Sequence, residues 1–184
     1  MDKIIEKIKK LVKDRASEED WNYHIKLVVK NTLALAKRYK VDERDAELAA
    51  LLHDIGRLPY SDQAEEKHHI LGAEEAGKIL KRLKYPEERI KAICSAILSH
   101  RGSVPPKTVL EKIIANADAL SHFDILPVFY YWRAGRFSVE EITEWIEEKY
   151  KRNFRKKLTL PEARKMARKK YKLNMEILKN LHPK

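Results

Sequence analysis

The sequence is poor in cysteine and glycine, and each shortage excludes a class of structure. Cys94 is the only cysteine among 184 residues, so the chain can form neither an internal disulfide nor a cysteine-based zinc site. Only five glycines are present. Runs of alternating β-branched residues are scarce, whereas apolar residues recur at positions i, i+3 and i+4. This pattern predicts an all-α protein.

Long hydrophobic runs are absent as well. A membrane-spanning helix needs roughly 20 apolar residues in succession, and the longest apolar runs here are much shorter. The N-terminal stretch MDKIIEKIKKLVKDR breaks its apolar residues with charges, whereas a secretory signal has a continuously apolar centre. We therefore expect no membrane association and a cytoplasmic location. The length predicts a single domain over residues 1–184.

Capping residues and helix breakers mark the ends of the predicted helices. Ser138 with Glu141, and Thr159 with Glu162, are typical of capping boxes that open two C-terminal helices. The predicted helices before them cover about residues 2–14, 17–39, 42 to a stop at Gly56 and Pro59, 65–83, 86–101 and 106–121.

The net charge of +11 comes from one segment. Residues 149–172 contain twelve Lys or Arg and one Glu, and the remaining residues have as many acidic as basic side chains. Apolar residues repeat at helical spacing through this segment, which favours a helix docked on the core with a solvated basic face. Tyr150, Phe154 and Tyr171 are available to stack on bases, so nucleic-acid binding also stays open.

Polar side chains lie on the apolar faces of several predicted helices. Six of the seven histidines fall between residues 24 and 122, and Asp118 follows the apolar Ile113 and Ile114. Taken singly, each is more often a hydrogen-bonded core residue, but together they would need several separate buried partners. A shared metal ion satisfies all of them at once. Imidazole and carboxylate together suit manganese, iron, cobalt, nickel or zinc better than magnesium or calcium.

The order of these residues carries a family resemblance. His24, then His53 with Asp54, then Asp118 resembles the HD-domain superfamily of metal-dependent phosphohydrolases, and LLHDIGR is a frequent form of its central motif. The resemblance covers residues 20–122. It implies an HD-type helical bundle as the core, with residues 123–184 as a C-terminal helical extension.

Two further histidines resemble those of the two-metal subgroup. HHILGAEEA aligns His68 with a ligand four residues before a glycine, and AILSHRG aligns His100 with the next ligand. The resemblance thus implies two divalent ions bridged by Asp54, with six ligands: His24, His53, Asp54, His68, His100 and Asp118. A one-metal site of the family would do without His68 and His100.

Candidate substrate contacts lie beside these ligands. Arg57 occupies a position where many HD proteins carry Lys or Arg, and Arg101 follows His100; guanidinium groups match phosphate oxygens in two-point contacts. We expect Arg57 and Asp54 to act in catalysis. His69 points about 100° away from His68 on a helix, so it is a candidate substrate contact rather than a ligand of the same ion. His122 lies one helical turn after Asp118 and is a candidate hydrogen-bond partner for it.

A metal pair polarises a phosphoryl oxygen and lowers the pKa of bound water, so this chemistry needs no Ser or Cys nucleophile. No P-loop, G-x-S-x-G or G-x-G-x-x-G motif occurs. The segment after His100 lacks the GYP pattern of cyclic-di-GMP phosphodiesterases. The leading hypothesis is therefore hydrolysis of a nucleotide or another small phosphoester.

Two other functions stay open. The six-ligand order is shared with mixed-valent di-iron oxygenases, and the basic segment 149–172 fits a nucleic-acid-binding protein. The aromatic stretch FDILPVFYYWRAGRF, residues 123–137, is expected to pack between the core and the last helices, with a wall of the pocket or a dimer surface as the alternatives.

Overall fold

Helices form where the sequence combines a capping side chain with apolar residues at helical spacing. The computed structural model describes residues 2–58 and 66–181, and within these ranges it contains helices and no strands, which confirms the all-α prediction. The α-helices are α1 Lys3–Arg15, α2 Glu18–Asp20, α3 Lys26–Tyr39, α4 Glu43–Leu52, α5 His68–Arg82, α6 Glu87–Ser99, α7 Val109–Ser121, α8 Leu126–Arg133, α9 Val139–Arg152 and α10 Pro161–Leu181. Two 3₁₀ turns, Ile55–Arg57 and His122–Asp124, and two π-helical turns, Trp21–Ile25 and Asn153–Lys157, connect some of them.

Two capping boxes were expected at the starts of the C-terminal helices, and one of them forms. The capping box of Ser138 and Glu141 opens α9 as predicted. The other expected box does not open α10, because that helix begins at Pro161 and the Thr159 hydroxyl accepts a hydrogen bond from Asn116 instead. The predicted helix end at Pro59 and the histidine at position 182 lie outside the described residues.

Helix α7 lies at the centre of the fold. All of its residues from 113 to 121 are buried, as expected for a helix with neighbours on every side. It packs against α3, α4 and α6, and from the C-terminal extension against Asn153–Lys157 and α10. Any polar residue between positions 113 and 121 is therefore buried in the protein interior.

The C-terminal helices dock on this core through apolar faces. Ala163, Ala167 and Leu178 of α10 are fully buried, while Lys165 and Lys169 are exposed. This confirms the predicted docking and solvated basic face. In the aromatic stretch, the ring centroids of Phe129 and of Trp145 on α9 lie 5.4 Å apart. The stretch therefore packs against the C-terminal helices, as predicted.

No helix in residues 2–58 and 66–181 combines the length and the apolar character needed to cross a bilayer.

Candidate metal centre

Short segments at the ends of several helices meet at one place beside α7. The six predicted ligands lie as follows: His24 in the π-helical turn before α3, His53 and Asp54 directly after α4, His68 at the start of α5, His100 directly after α6, and Asp118 within α7. All are buried except His68, which is partly exposed. The structure therefore brings together every residue of the predicted ligand set.

His24, His53 and Asp118 form the first group that could hold an ion. One ligand atom of each lies within 4.8 Å of the others. Nε2 of His24 is 3.1 Å from Nε2 of His53 and 3.7 Å from Oδ1 of Asp118. Asp54, His68 and His100 form the second group under the same criterion, with 3.1 Å between the Nε2 atoms of the two histidines.

Asp54 faces both groups, one with each carboxylate oxygen. Its Oδ2 lies 3.1 Å from Nε2 of His24 and 3.2 Å from Nε2 of His53. Its Oδ1 lies 3.5 Å from Nε2 of His68 and 3.6 Å from Nε2 of His100. The carboxylate of Asp54 therefore lies between the two groups that could each hold an ion.

Backbone carbonyls set the orientation of two histidine rings. Nδ1 of His53 lies 2.7 Å from the carbonyl oxygen of Ala50, and Nδ1 of His100 lies 2.6 Å from that of Ile97. Because a carbonyl oxygen only accepts hydrogen bonds, Nδ1 carries the proton in both rings. Each neutral ring therefore presents the lone pair of Nε2 to the site.

Ser121 has the same effect on His24. Its hydroxyl donates to the carbonyl oxygen of Asp118 at 2.7 Å, so its oxygen is left to accept from Nδ1 of His24 at 3.2 Å. Nε2 of His24 then also carries a lone pair. Ser121 follows Asp118 by three residues on α7, which places it on the same side of that helix.

The donor set fits divalent metal ions. The Nε2 lone pairs of His24 and His53 face each other across 3.1 Å beside the carboxylate of Asp54. Electron pairs this close repel unless a proton or a metal ion lies between them. Mixed nitrogen and oxygen donors suit manganese, iron, cobalt, nickel and zinc. The side chains present can therefore hold such ions.

Arg57 pairs with two carboxylates. Its Nε and Nη2 lie 2.8 Å and 2.7 Å from Oδ2 of Asp54, and its Nη1 lies 3.2 Å from Oδ1 of Asp20. These contacts orient Asp54 toward the histidines. Phosphate binding by Arg57, expected from its sequence position, stays a prediction.

A close approach of two glycines brings His68 to Asp54. A Cβ atom on Gly56, in the turn after Asp54, would lie 2.4 Å from the backbone nitrogen of Gly72 and 2.5 Å from the carbonyl oxygen of His68. No side chain fits there without displacing α5. Glycine at both positions lets the turn and the helix pack with their backbones in contact.

Asp118 has two further neighbours in addition to the ligands. The ammonium group of Lys157 donates to its Oδ2 at 3.2 Å, and Nε2 of His122 lies 3.6 Å from its Oδ1. Asn153 donates to Nδ1 of His122 at 2.9 Å, so the proton of that ring sits on Nε2 and faces Asp118. His122 is therefore buried beside Asp118, as its spacing predicts, but at 3.6 Å the two side chains are too far apart for a hydrogen bond.

Charges around the two aspartates keep them ionised. Burial alone would raise the pKa of Asp54, but Arg57 and then His53 outweigh it and hold the pKa well below its usual range. Burial likewise opposes ionisation of Asp118, and Lys157 foremost holds its pKa well below the usual range. Ionised carboxylates are the form that binds metal.

The buried histidines respond to two opposing influences. Burial lowers the pKa of His24 despite the neighbouring Asp54. At His53 burial also opposes the charged form, but the Asp54 carboxylate outweighs it and raises the pKa. The surroundings of His53 therefore favour a positive charge, which a bound cation supplies equally well.

The other predicted contact residues lie at the edge of the site. Arg101 donates to the backbone carbonyl of Glu66. His69 is buried, with its Nε2 3.0 Å from the hydroxyl of Ser103, and its ring plane is turned 78° from that of His68. Nε2 of His68 instead lies 3.1 Å from that of His100, so the two neighbouring histidines contact different partners. Substrate binding by His69 and Arg101 stays a prediction.

Sequence reasoning missed Asp20, Ser121 and Lys157. Ser121 could have been found from its spacing to Asp118. Asp20 sits at the end of a short acidic helix, and Lys157 lies within a run of similar basic residues. Neither carries a pattern that distinguishes it from a surface residue.

Comparison with known proteins identifies a matching family and several relatives of this chain. The family model described as the HD domain matches residues 22–122. A ribonuclease Y from Oleidesulfovibrio alaskensis is 39% identical over 87 residues, which is 47% of this chain and 15% of that protein. A symmetrical bis(5′-nucleosyl)-tetraphosphatase from Staphylococcus aureus is 31% identical over 110 residues, which is 59% of this chain and 54% of that protein. The matched region thus spans about half of the tetraphosphatase and a much smaller part of the ribonuclease.

The likeness extends to a solved structure. A predicted HD superfamily hydrolase from an uncultured Thermotogales bacterium superposes with a TM-score of 0.63 at 26% sequence identity. The match covers 95% of this chain and 89% of that one. The shared architecture therefore includes the C-terminal helices as well as the region that carries the histidines.

Proposed function

The chain belongs to the HD domain family, and on that premise we propose that it is a metal-dependent phosphohydrolase that cleaves a phosphate ester or anhydride of a nucleotide. The observation that carries this proposal is the position of Asp54. Its two carboxylate oxygens face two separate ligand groups, His24 with His53 and His68 with His100.

The six side chains would hold two divalent ions of the manganese, iron, cobalt, nickel or zinc class. His24, His53 and Asp118 would bind one ion, His68 and His100 the other, and Asp54 both. A pair of such ions supplies Lewis-acid polarisation of a phosphoryl oxygen and activation of water near neutral pH.

The chain itself contributes orientation and charge. Arg57 holds the Asp54 carboxylate by a two-point contact, and Ser121 sets the ring of His24. Burial of these groups strengthens each interaction because little water screens it. Arg101 is partly exposed and His69 is buried next to the partly exposed His68, and both would contact the substrate there.

A nucleotide is the substrate class favoured by the relatives. The tetraphosphatase from Staphylococcus aureus is named for cleaving a dinucleoside polyphosphate, and its match includes more than half of this chain. Such a substrate presents several phosphates to a cationic site. The exposed Arg155 lies in the turn that reaches Asp118, and would attract such a substrate.

RNA is the second candidate substrate. The relative named ribonuclease Y is 39% identical over 87 residues, and the exposed face of α10 carries a series of Lys and Arg that suits a polynucleotide. Cleavage of an RNA phosphodiester would use the same two ions.

The test is a substrate panel with the full chain loaded separately with manganese, cobalt, nickel or iron. The panel contains a dinucleoside tetraphosphate, nucleoside mono-, di- and triphosphates, and a short RNA, and products are separated by chromatography. We expect hydrolysis of at least one nucleotide, reduced more than about 100-fold in Asp54→Asn. Asp124→Asn, an exposed aspartate outside the site, serves as the control.

Two results would contradict the proposal. Hydrolysis of RNA alone would move the substrate to a polynucleotide. Oxygen consumption by the iron-loaded protein, with no phosphoester cleaved under any metal, would favour a di-iron oxygenase.

A further inference from the structure

Lys157 reaches the metal centre from the C-terminal extension. It is the last residue of the π-helical turn Asn153–Lys157, and its ammonium group lies 3.2 Å from Oδ2 of Asp118, 39 residues away in sequence. Its side chain is 16% exposed. The ammonium group is therefore held against Asp118 by a side chain that is mostly buried but still partly exposed to solvent.

The backbone after Lys157 is anchored to α7. Asn116, two residues before Asp118, is fully buried and uses both ends of its amide. Its Nδ2 donates to the Thr159 hydroxyl at 3.0 Å, and its Oδ1 accepts from the backbone N–H of Leu160 at 3.1 Å. One helix therefore fixes both Asp118 and the segment that carries Lys157.

A second anchor holds the π-helical turn itself. The guanidinium of Arg164 on α10 donates to the carbonyl oxygens of Leu158 at 2.6 Å and Arg155 at 3.2 Å. Carbonyl groups on both sides of Lys157 are thus tied to the next helix. A surface lysine has no need of such a frame, whereas a positioned ammonium group does.

Lys157 and the first ligand group contact different oxygens of Asp118. Oδ1 of Asp118 is the oxygen nearest His24, at 3.7 Å, while Lys157 binds Oδ2. The Lys157 side chain also approaches the turn after His100, since its Cε would lie 3.9 Å from a Cβ atom on Gly102. The lysine is therefore adjacent to segments that supply ligands to both groups.

The ammonium group has donors to spare. A lysine carries three N–H donors, and within residues 2–58 and 66–181 the structure assigns it one acceptor, Asp118. Arg57 differs, because its guanidinium is directed at both Asp54 and Asp20. Of these two cations, Lys157 is the one placed to accept a new anionic partner without giving up its present one.

We propose that Lys157 forms a phosphate subsite, in which its ammonium group donates to a non-bridging oxygen of a phosphate held at the metal centre. The inference rests on the proposed function for the presence of a phosphorylated ligand. It assigns to the C-terminal extension a direct part in recognising the substrate.

The test compares Lys157→Met with Lys156→Met, the exposed neighbour that removes the same charge beside the site. Calorimetry measures the binding of inorganic phosphate to the manganese-loaded full chain, and elemental analysis measures its manganese content. We expect Lys157→Met to weaken phosphate binding about 10- to 100-fold, as loss of a charge-assisted hydrogen bond would. Manganese content should be unchanged, and Lys156→Met should bind phosphate like the wild type.

Equal phosphate affinity in the two variants would overturn the inference. So would a loss of manganese in Lys157→Met that parallels the loss of phosphate binding, because Lys157 would then only position Asp118. No phosphate binding by the wild type would overturn it as well.

A measurement on the wild type avoids dependence on the folding of a variant. Phosphate added to the manganese-loaded protein should protect Lys157, but not Lys156, from acetylation by acetic anhydride, read by mass spectrometry. Equal labelling of Lys157 with and without phosphate would refute the subsite. Protection of Lys157 in a protein that hydrolyses no phosphoester would support the subsite and contradict the proposed function instead.

Discussion

Arg57 directs two nitrogen atoms at a single oxygen of Asp54, with Nε at 2.8 Å and Nη2 at 2.7 Å from Oδ2. The same oxygen is the one nearest His24 and His53. Two charge-assisted hydrogen bonds to one oxygen hold that oxygen in place and stabilise its negative charge. The geometry of the metal centre therefore depends on a residue that is not itself a ligand.

Replacing Arg57 by lysine tests this dependence. Lysine keeps the charge but cannot reproduce the two-point contact, so we expect Arg57→Lys to bind manganese about 10- to 100-fold more weakly, as loss of a ligand's hydrogen-bond partner does in other metal sites. A manganese titration followed by electron paramagnetic resonance measures this. Arg38→Lys, at an arginine whose side chain is 69% exposed, is the control. Unchanged manganese affinity with weaker phosphate binding would instead favour the phosphate contact predicted from sequence.

His68→Ala should change the number of bound ions. His68 and His100 are the two histidines on the Oδ1 side of Asp54, so removing one leaves the second group with too few donors, while the first group keeps His24, His53 and Asp118. Elemental analysis should give one ion per chain instead of two. His69→Ala should keep both ions. A count of two in His68→Ala would remove His68 from the ligand set.

Gly56→Ala should destabilise the fold strongly. The added methyl group would lie 2.4 Å from a backbone atom of Gly72, and backbone cannot move aside as a side-chain end can, so we expect a loss of about 3 kcal/mol or more in unfolding free energy. Gly77→Ala is the matched control, because among residues 2–58 and 66–181 the nearest atom to its Cβ would be the sulfur of Cys94, at 3.4 Å. Within helix α5 it should raise stability by up to about 1 kcal/mol. Urea unfolding measures the unfolding free energy of both variants. Similar values for the two would contradict the close backbone approach of Gly56 and Gly72.

The ionisation of Glu111 is expected to make the stability of the fold depend on pH. Burial alone would raise the pKa of Glu111, but hydrogen bonds from the backbone N–H of Lys107 and the hydroxyl of Ser95 outweigh it, so the pKa falls below its ordinary value of 4.5. An acidic group whose pKa is lower in the folded than in the unfolded state stabilises the fold at pH values above its unfolded-state pKa. This stabilisation is lost as the pH falls through the folded-state pKa.

Glu111→Gln should therefore cost about 1 kcal/mol of unfolding free energy at neutral pH. The difference from wild type should shrink as the pH falls below about 4.5, in urea unfolding measured at several pH values. Glu144→Gln, at an exposed glutamate of α9, should change stability little at any pH. A difference for Glu111→Gln that grows toward acid pH would contradict the assigned hydrogen bonds.

The helices and the grouping of the six candidate ligands could be predicted because their signals are local or ordered along the chain. Apolar spacing located α7, and the order of His24, His53, Asp54 and Asp118 carried the family resemblance. Residues such as Lys157 and Asp20 could not be predicted, since their roles come from contacts across 37 to 39 residues with no spacing rule to reveal them.

The expected cap at Thr159 was wrong for a similar reason. Its hydroxyl had two suitable partners, the start of the following helix and the distant amide of Asn116, and the tertiary contact prevailed. The π-helical turn that carries His24 also leaves no mark in the apolar pattern, which reads as one continuous helix.

Anomalous diffraction at the manganese edge, from crystals of the manganese-loaded protein, tests most directly the claim that Asp54 joins two ion sites. Two peaks are predicted, one beside His24, His53 and Asp118 and the other beside His68 and His100, with the carboxylate of Asp54 between them. A single peak, or none at these side chains, would contradict it.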